Sequence, residues 1–138
     1  MSWTTSLIRV REFEVDTLRK RLKTVAERRT ALEMRIATLD AELEAEGSQA
    51  RGDAQAGWYL IGFREGWKVR RAALDAERTT VAREEEGCRD ALSEAFLELK
   101  KVEQVAENMA LAARKVEARR EGQALDELAL RKRGSRAY

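Results

Sequence analysis

The sequence predicts an all-α protein, a long antiparallel two-helix coiled-coil hairpin with a projecting C-terminal helix. Three observations carry this. The 138-residue chain has no proline, the residue that most strongly stops helices. Two long stripes of apolar residues recur at steps of three and four, the spacing of a helix seam. The glycines cluster once in mid-chain, between Gly47 and Gly66, and mark one bend. Charged residues are 38% of the chain and aromatics only 6%, which suits long solvated helices better than a large globular core.

Helix one is predicted over residues 4–46, with Thr4 to Ser6 supplying an N-cap. Its seam starts at Ile8 in an a position and continues through Val15, Leu22, Ile36 and Leu43. The d positions include Leu18, Val25, Leu32 and Leu39, and only Arg11 and Arg29 interrupt the pattern. Five heptads of this kind are a coiled-coil signature. The bend is predicted over residues 47–58. Glycine costs about 1 kcal/mol per helical position relative to alanine, and Ser48 to Gly57 is small and polar. The most apolar run in the chain, Trp58 to Phe63, follows directly.

Helix two is predicted over residues 59–133. Leu60, Trp67, Leu74, Val81 and Cys88 occupy its d positions, while Arg64, Arg71, Arg78 and Glu85 stand at a. After Cys88 both positions are apolar or small, so the first half should pack more loosely than the second. Cys88 itself reads as a buried seam residue. Residues 134–138 are expected to fray.

Charge order supports a hairpin. Successive blocks carry +4 (residues 1–29), −4 (30–53), +3 (54–83), −5 (84–98) and +4 (99–138). Folding near Trp58 sets Glu84 to Glu98 against Arg19 to Arg29, and Asp40 to Glu46 against Arg64 to Arg78. Such patterns specify register and orientation more than stability. Two registers fit the seam. In the first, opposed residue numbers sum to 117, so Leu22 meets Ala95, Ile36 meets Val81, and Arg29 faces the small Cys88. In the second they sum to 110, and Arg29 faces Val81. Seam complementarity favours 117. Roughly twenty residues of helix two, about 30 Å, then extend past helix one with Leu125, Leu128 and Leu130 uncovered.

Composition removes most chemistry. The chain has no histidine and one cysteine, so histidine bases, histidine-bound metals and internal disulfides are excluded. No phosphate-cradling glycine loop or nucleophile elbow occurs. Asp126 and Glu127 are adjacent on a helix and do not converge for acid/base work. No catalytic residue, metal site or cofactor is expected, and the protein is read as a non-enzyme. The longest charge-free run, Ala54 to Phe63, has ten residues, against about 20 for a membrane span. No signal-peptide pattern opens the chain, and a cytoplasmic protein is expected. The near-balanced net charge of +2 argues against nucleic acid as a partner.

Three local motifs complete this picture: Leu7 to Asp16 opening helix one, Phe63 with Trp67 after the bend, and Gln123 to Ala129 near the C-terminus. Together with the hairpin architecture they resemble the FliJ/YscO family of type III export stalk proteins. The last motif is similar to that family's Asp-Glu-x-Ala signature. The resemblance implies a flagellar export component that binds three partners: the hexameric export ATPase, the cytoplasmic domain of the membrane export gate, and export chaperones. It also implies peripheral association with the inner membrane at the flagellar base. Trp58, Tyr59, Phe63, Trp67 and Leu74 would form the gate-binding tip. Arg9, Arg11, Leu125, Asp126, Glu127, Leu128, Ala129 and Arg131 would face the ATPase. The chain departs from the family in lacking tyrosines between Asp40 and Glu46. The tip aromatics also fit a hydrophobic plug closing the coiled coil. A monomeric hairpin is expected. The alternative is a generic coiled-coil adaptor, including a homodimer through unpaired seams.

Overall fold

The computed structural model describes residues 2–136 and contains, among them, two α-helices and no strand. Helix α1 spans Trp3–Gln49 and helix α2 spans Ala54–Arg136. Ala137 and Tyr138, part of the segment expected to fray, lie outside the described residues.

Both helices run closer to the bend than expected, leaving only residues 50–53 between them. Gly47 ends up inside α1 and Gly57 inside α2. The reason is local. Among the described residues Gly52 alone takes a left-handed backbone, at φ 84°, a conformation that closes a helix and favours glycine. Asp53 then accepts hydrogen bonds on Oδ1 from the N–H groups of Gln55 (3.0 Å) and Ala56 (3.4 Å), which caps α2. One glycine and one aspartate make the turn, so the other glycines are tolerated within helices. At the start of α1, Ser2 takes the capping position instead of Thr4 to Ser6. Its carbonyl accepts the first helical bond from the Ser6 N–H at 3.4 Å, and its hydroxyl lies 2.8 Å from that of Thr4.

The chain divides into two compact units, Glu14–Glu94 and Met1–Phe13 with Ala95–Tyr138. In the first, α1 and α2 pack antiparallel around a seam in which Val15, Val25, Leu32, Ile36, Leu39, Val81 and Cys88 are buried. Leu22 and Leu74 pack against its central cluster of Val25, Leu32, Val81 and Cys88. The expected charge blocks meet: Arg28 pairs with Glu84 at 3.0 Å, and Asp40 pairs with Arg71.

The register is the one summing to 110, not 117. Asp40 accepts hydrogen bonds from Arg71 and, at 3.0 Å, from the Trp67 indole N–H. Under the 117 register it would stand opposite Glu77. That register also opposes Glu42 to Asp75, Glu33 to Glu84 and Arg28 to Arg89. The 110 register opposes Asp40 to Arg70, Glu42 to Lys68 and Glu46 to Arg64. The small seam preference for 117 is outweighed by the like charges that register sets along the flanks.

Two breaks in the apolar pattern answer each other. Glu85, an acid in the seam of α2, is only 3% exposed. It accepts from Arg29 Nε across the seam at 2.6 Å and from Arg89 on its own helix at 2.7 Å. Arg29 also reaches Glu33 at 3.2 Å. Glu85, then Glu33, raise the pKa of the Arg29 guanidinium above its ordinary value through hydrogen bonding and charge. A raised arginine stays ionised throughout the physiological range, so its contribution is present at every pH below that ordinary value.

In the second unit Thr4, Ala95 and Leu99 are buried, and Leu7, Ile8, Val102 and Ala106 are half-buried. Every residue of α2 from Glu107 to Ser135 is exposed. At 1.5 Å per residue this free stretch is about 43 Å long, longer than the twenty residues expected. Among the described residues, no helix is long and apolar enough to cross a membrane.

Two outcomes follow for the first unit. In a Cys88→Ser background, cysteines at Ile36 and Leu74 should form a disulfide on oxidation, and cysteines at Ile36 and Val81 should not, as read by mobility shift on non-reducing gels. Glu85→Ala should lower unfolding free energy by about 2 kcal/mol in urea denaturation, as expected for loss of a hydrogen bond to a charged group.

Candidate functional site

The five tip candidates all lie on the N-terminal part of α2, in the Glu14–Glu94 unit. Asp53 starts the helix, and the chain then carries Trp58 and Tyr59 out to solvent, 76% and 65% exposed. Ile61 is exposed beside them. Tyr59 and Phe63, four residues apart, share a helix face, with ring centroids 6.4 Å apart and planes tilted by 36°. The Arg70 guanidinium covers the Phe63 ring at 5.8 Å, while its Nε donates to the Gly66 carbonyl at 3.4 Å. These contacts hold the half-buried Phe63 in one orientation.

Trp67 and Leu74 have different surroundings. Trp67 is half-buried, and its indole N–H is held by Asp40 across the seam. Leu74 belongs to the packing around the central core cluster. The tip set therefore splits into outward-facing aromatics (Trp58, Tyr59, with Phe63 at their edge) and two residues that join the helices.

The second candidate group lies in the other unit. Arg9 is exposed on α1, and Arg11 is half-buried. Leu125, Asp126, Glu127, Leu128, Ala129 and Arg131 all sit on the free stretch of α2 and all are exposed. Leu125 and Leu128, three residues apart, share a helix face and are 66% and 52% exposed. Among the described residues, Asp126, Glu127 and Arg131 make no ion pair, so an apolar pair flanked by unpaired charges is presented to solvent. An exposed surface of this kind suits docking against another protein.

Comparison with known proteins bears on what these surfaces serve. Flagellar FliJ proteins from two strains of Caulobacter vibrioides, NA1000 / CB15N and ATCC 19089 / CIP 103742 / CB 15, are each 53% identical to this chain over 131 residues, covering 94% of both sequences. The chain belongs to the flagellar FliJ family. No protein-family model matches it, and no solved structure does. The match covers 94% of the chain and so extends over both units.

Sequence reasoning set Asp40 and Glu85 in facing charge blocks but missed that Asp40 also accepts from the Trp67 indole N–H and that Glu85 is buried. Their signal was present as polar residues at or beside seam positions, each with an arginine available on the other helix in the correct register. The split among the tip aromatics has a measurable consequence. Trp67→Phe, which removes the indole N–H and leaves Asp40 one donor short, should destabilise the fold by about 1 kcal/mol. Trp58→Ala should leave stability within about 0.5 kcal/mol of the parent, with both read from the same denaturation experiment.

Proposed function

We propose that this chain is a non-enzymatic stalk of the flagellar export apparatus, binding the hexameric export ATPase and the cytoplasmic domain of the export gate and escorting export chaperones. The observation that carries the reading is the 53% identity to flagellar FliJ proteins over 94% of the chain. Membership of that family makes the chain a flagellar protein-export component. The finer assignments are supported by which residues are free to bind.

In this reading the exposed end of α2 is the ATPase-facing element. A single helix with Leu125 and Leu128 uncovered gains by burying them, each worth roughly 1.5–3 kcal/mol when fully buried. Asp126, Glu127 and Arg131 surround that apolar pair and set its orientation through charge. Arg9 and Arg11 on α1 add basic groups to the same unit. Trp58, Tyr59 and Phe63 form the gate-facing element. Large, rigid aromatics contribute contact area at low entropic cost. Trp67 and Leu74 act there by positioning, because they tie the start of α2 to α1. The protein works in the cytoplasm at the flagellar base, held at the inner membrane through its partners.

Pull-down with the cognate ATPase and the isolated gate domain tests the assignment. Leu125→Ala with Leu128→Ala should reduce ATPase capture at least tenfold and leave gate capture unchanged. Trp58→Ala with Tyr59→Ala should do the reverse. Absence of binding to both partners by the folded parent chain would overturn the stalk reading.

A further inference from the structure

We infer that a second copy of this chain docks face to face on the groove between α1 and α2 at residues 34–42 and 69–77. The starting observation is a repeat. Met34 to Glu42 and Val69 to Glu77 are the same length, and six of their nine positions are identical: Arg, Ala, Leu, Asp, Ala and Glu in the same order and spacing. Because the helices are antiparallel, the two stretches face each other about a local two-fold axis running through the groove. The groove has a volume of about 520 Å³. Leu39 and Leu74, equivalent in the repeat, form its apolar floor, with Thr38 and Ala73 beside them.

Four charged residues mark its corners. Arg35 and Glu77 line the groove at one end, and the two also line a smaller neighbouring groove together. Glu42 and Arg70 line the groove at its other end, each one heptad along its own helix from the first pair, about 10 Å at 1.5 Å per residue. Sign therefore alternates around the square: arginine and glutamate at one end, glutamate and arginine at the other. Among the described residues Arg35, Glu42 and Glu77 form no ion pair, and Arg70 lies over Phe63 without one. Ion pairs between the helices are instead made by Arg28, Arg29 and Arg71.

Such a square is complementary to itself. Turning a second copy over about an axis in the plane of the groove, either along the helices or across them, places every arginine over a glutamate. The contact is isologous, with each surface answering its own pattern, and the product is a four-helix packing at this level. Met34, which lines the groove, and Val69, its equivalent in the repeat, are 66% and 71% exposed and add apolar contact in the dimer. Solvent-exposed ion pairs are weak and screened by salt, so the dimer is salt-sensitive. This association is independent of the export role and modifies the monomer expected from sequence.

Sedimentation velocity on the full chain tests it. At low ionic strength the parent should move from the 15.7 kDa monomer toward a dimer as concentration rises, with at least tenfold weaker association in high salt. Arg35→Glu with Arg70→Glu makes all four corners acidic, and Glu42→Arg with Glu77→Arg makes all four basic. Each variant alone should remain monomeric while keeping its helical circular dichroism. Mixed in equal amounts, the two should associate. A parent that stays monomeric at every concentration overturns the inference. So does a dimer that persists in both variants, or a mixture that fails to associate. Should a charge-reversed chain lose its helicity, Met34→Lys with Val69→Lys is the second pair to measure, and an unchanged dimer there also overturns it.

Discussion

The meeting of Arg29 with Glu85 is the constraint on which the rest of the hairpin depends. A coiled-coil seam of leucine, valine and alanine is nearly indifferent to a shift of one heptad, because similar layers recur after seven residues. A buried carboxylate is not indifferent. Glu85 is almost fully covered, and leaving it without a cation would incur a large desolvation penalty. Arg29 across the seam supplies that cation. Arg89 on the same helix completes its hydrogen bonding. Replacing such a group with a leucine is often neutral or favourable for stability, so the pair matters less for net stability than for keeping the two seam breaks opposite each other.

Asp40 repeats this logic nearer the turn. It collects donors from Trp67 and Arg71 and thereby fixes the start of α2 against α1. The aromatic residues just before Trp67 inherit that placement. Trp58 and Tyr59 face outward on a helix that starts from a short turn capped by Asp53 and is tied to α1 through Trp67 and Asp40. A chain-reversing turn of only four residues, using one left-handed glycine, leaves little freedom for the tip to reorganise. The exposed aromatics are therefore presented on an ordered surface.

The two units treat apolar residues differently. In Glu14–Glu94 the seam covers them on both helices. In the other unit the far stretch of α2 has no covering helix, and Leu125, Leu128 and Leu130 remain in water. An isolated helix of that length is marginal without packing, and this one is rich in alanine, glutamate and arginine, residues that favour the helical state. Composition thus keeps the stretch helical while its leucines stay available. The same separation holds at the level of charge among the described residues: those that join the helices form ion pairs, and those around the groove and on the free helix do not.

Much of this was legible in the sequence, for identifiable reasons. Helical state, the existence of one bend, the antiparallel direction and the unpaired C-terminal leucines all follow from local periodicity, glycine placement and charge order, which act over short distances or sum over many residues. The FliJ resemblance rested on the same features together with three motifs. Tertiary structure decided what depends on one residue meeting another. It chose the 110 register, because flanking like charges and the donors that Asp40 meets in Trp67 and Arg71 outweigh small differences in seam packing. It separated Trp67 and Leu74 from the solvent-facing aromatics, because burial depends on what stands across the seam. It also turned a nine-residue repeat, visible in the sequence as mere similarity, into a two-fold groove, since only the antiparallel pairing brings residues 34–42 and 69–77 side by side.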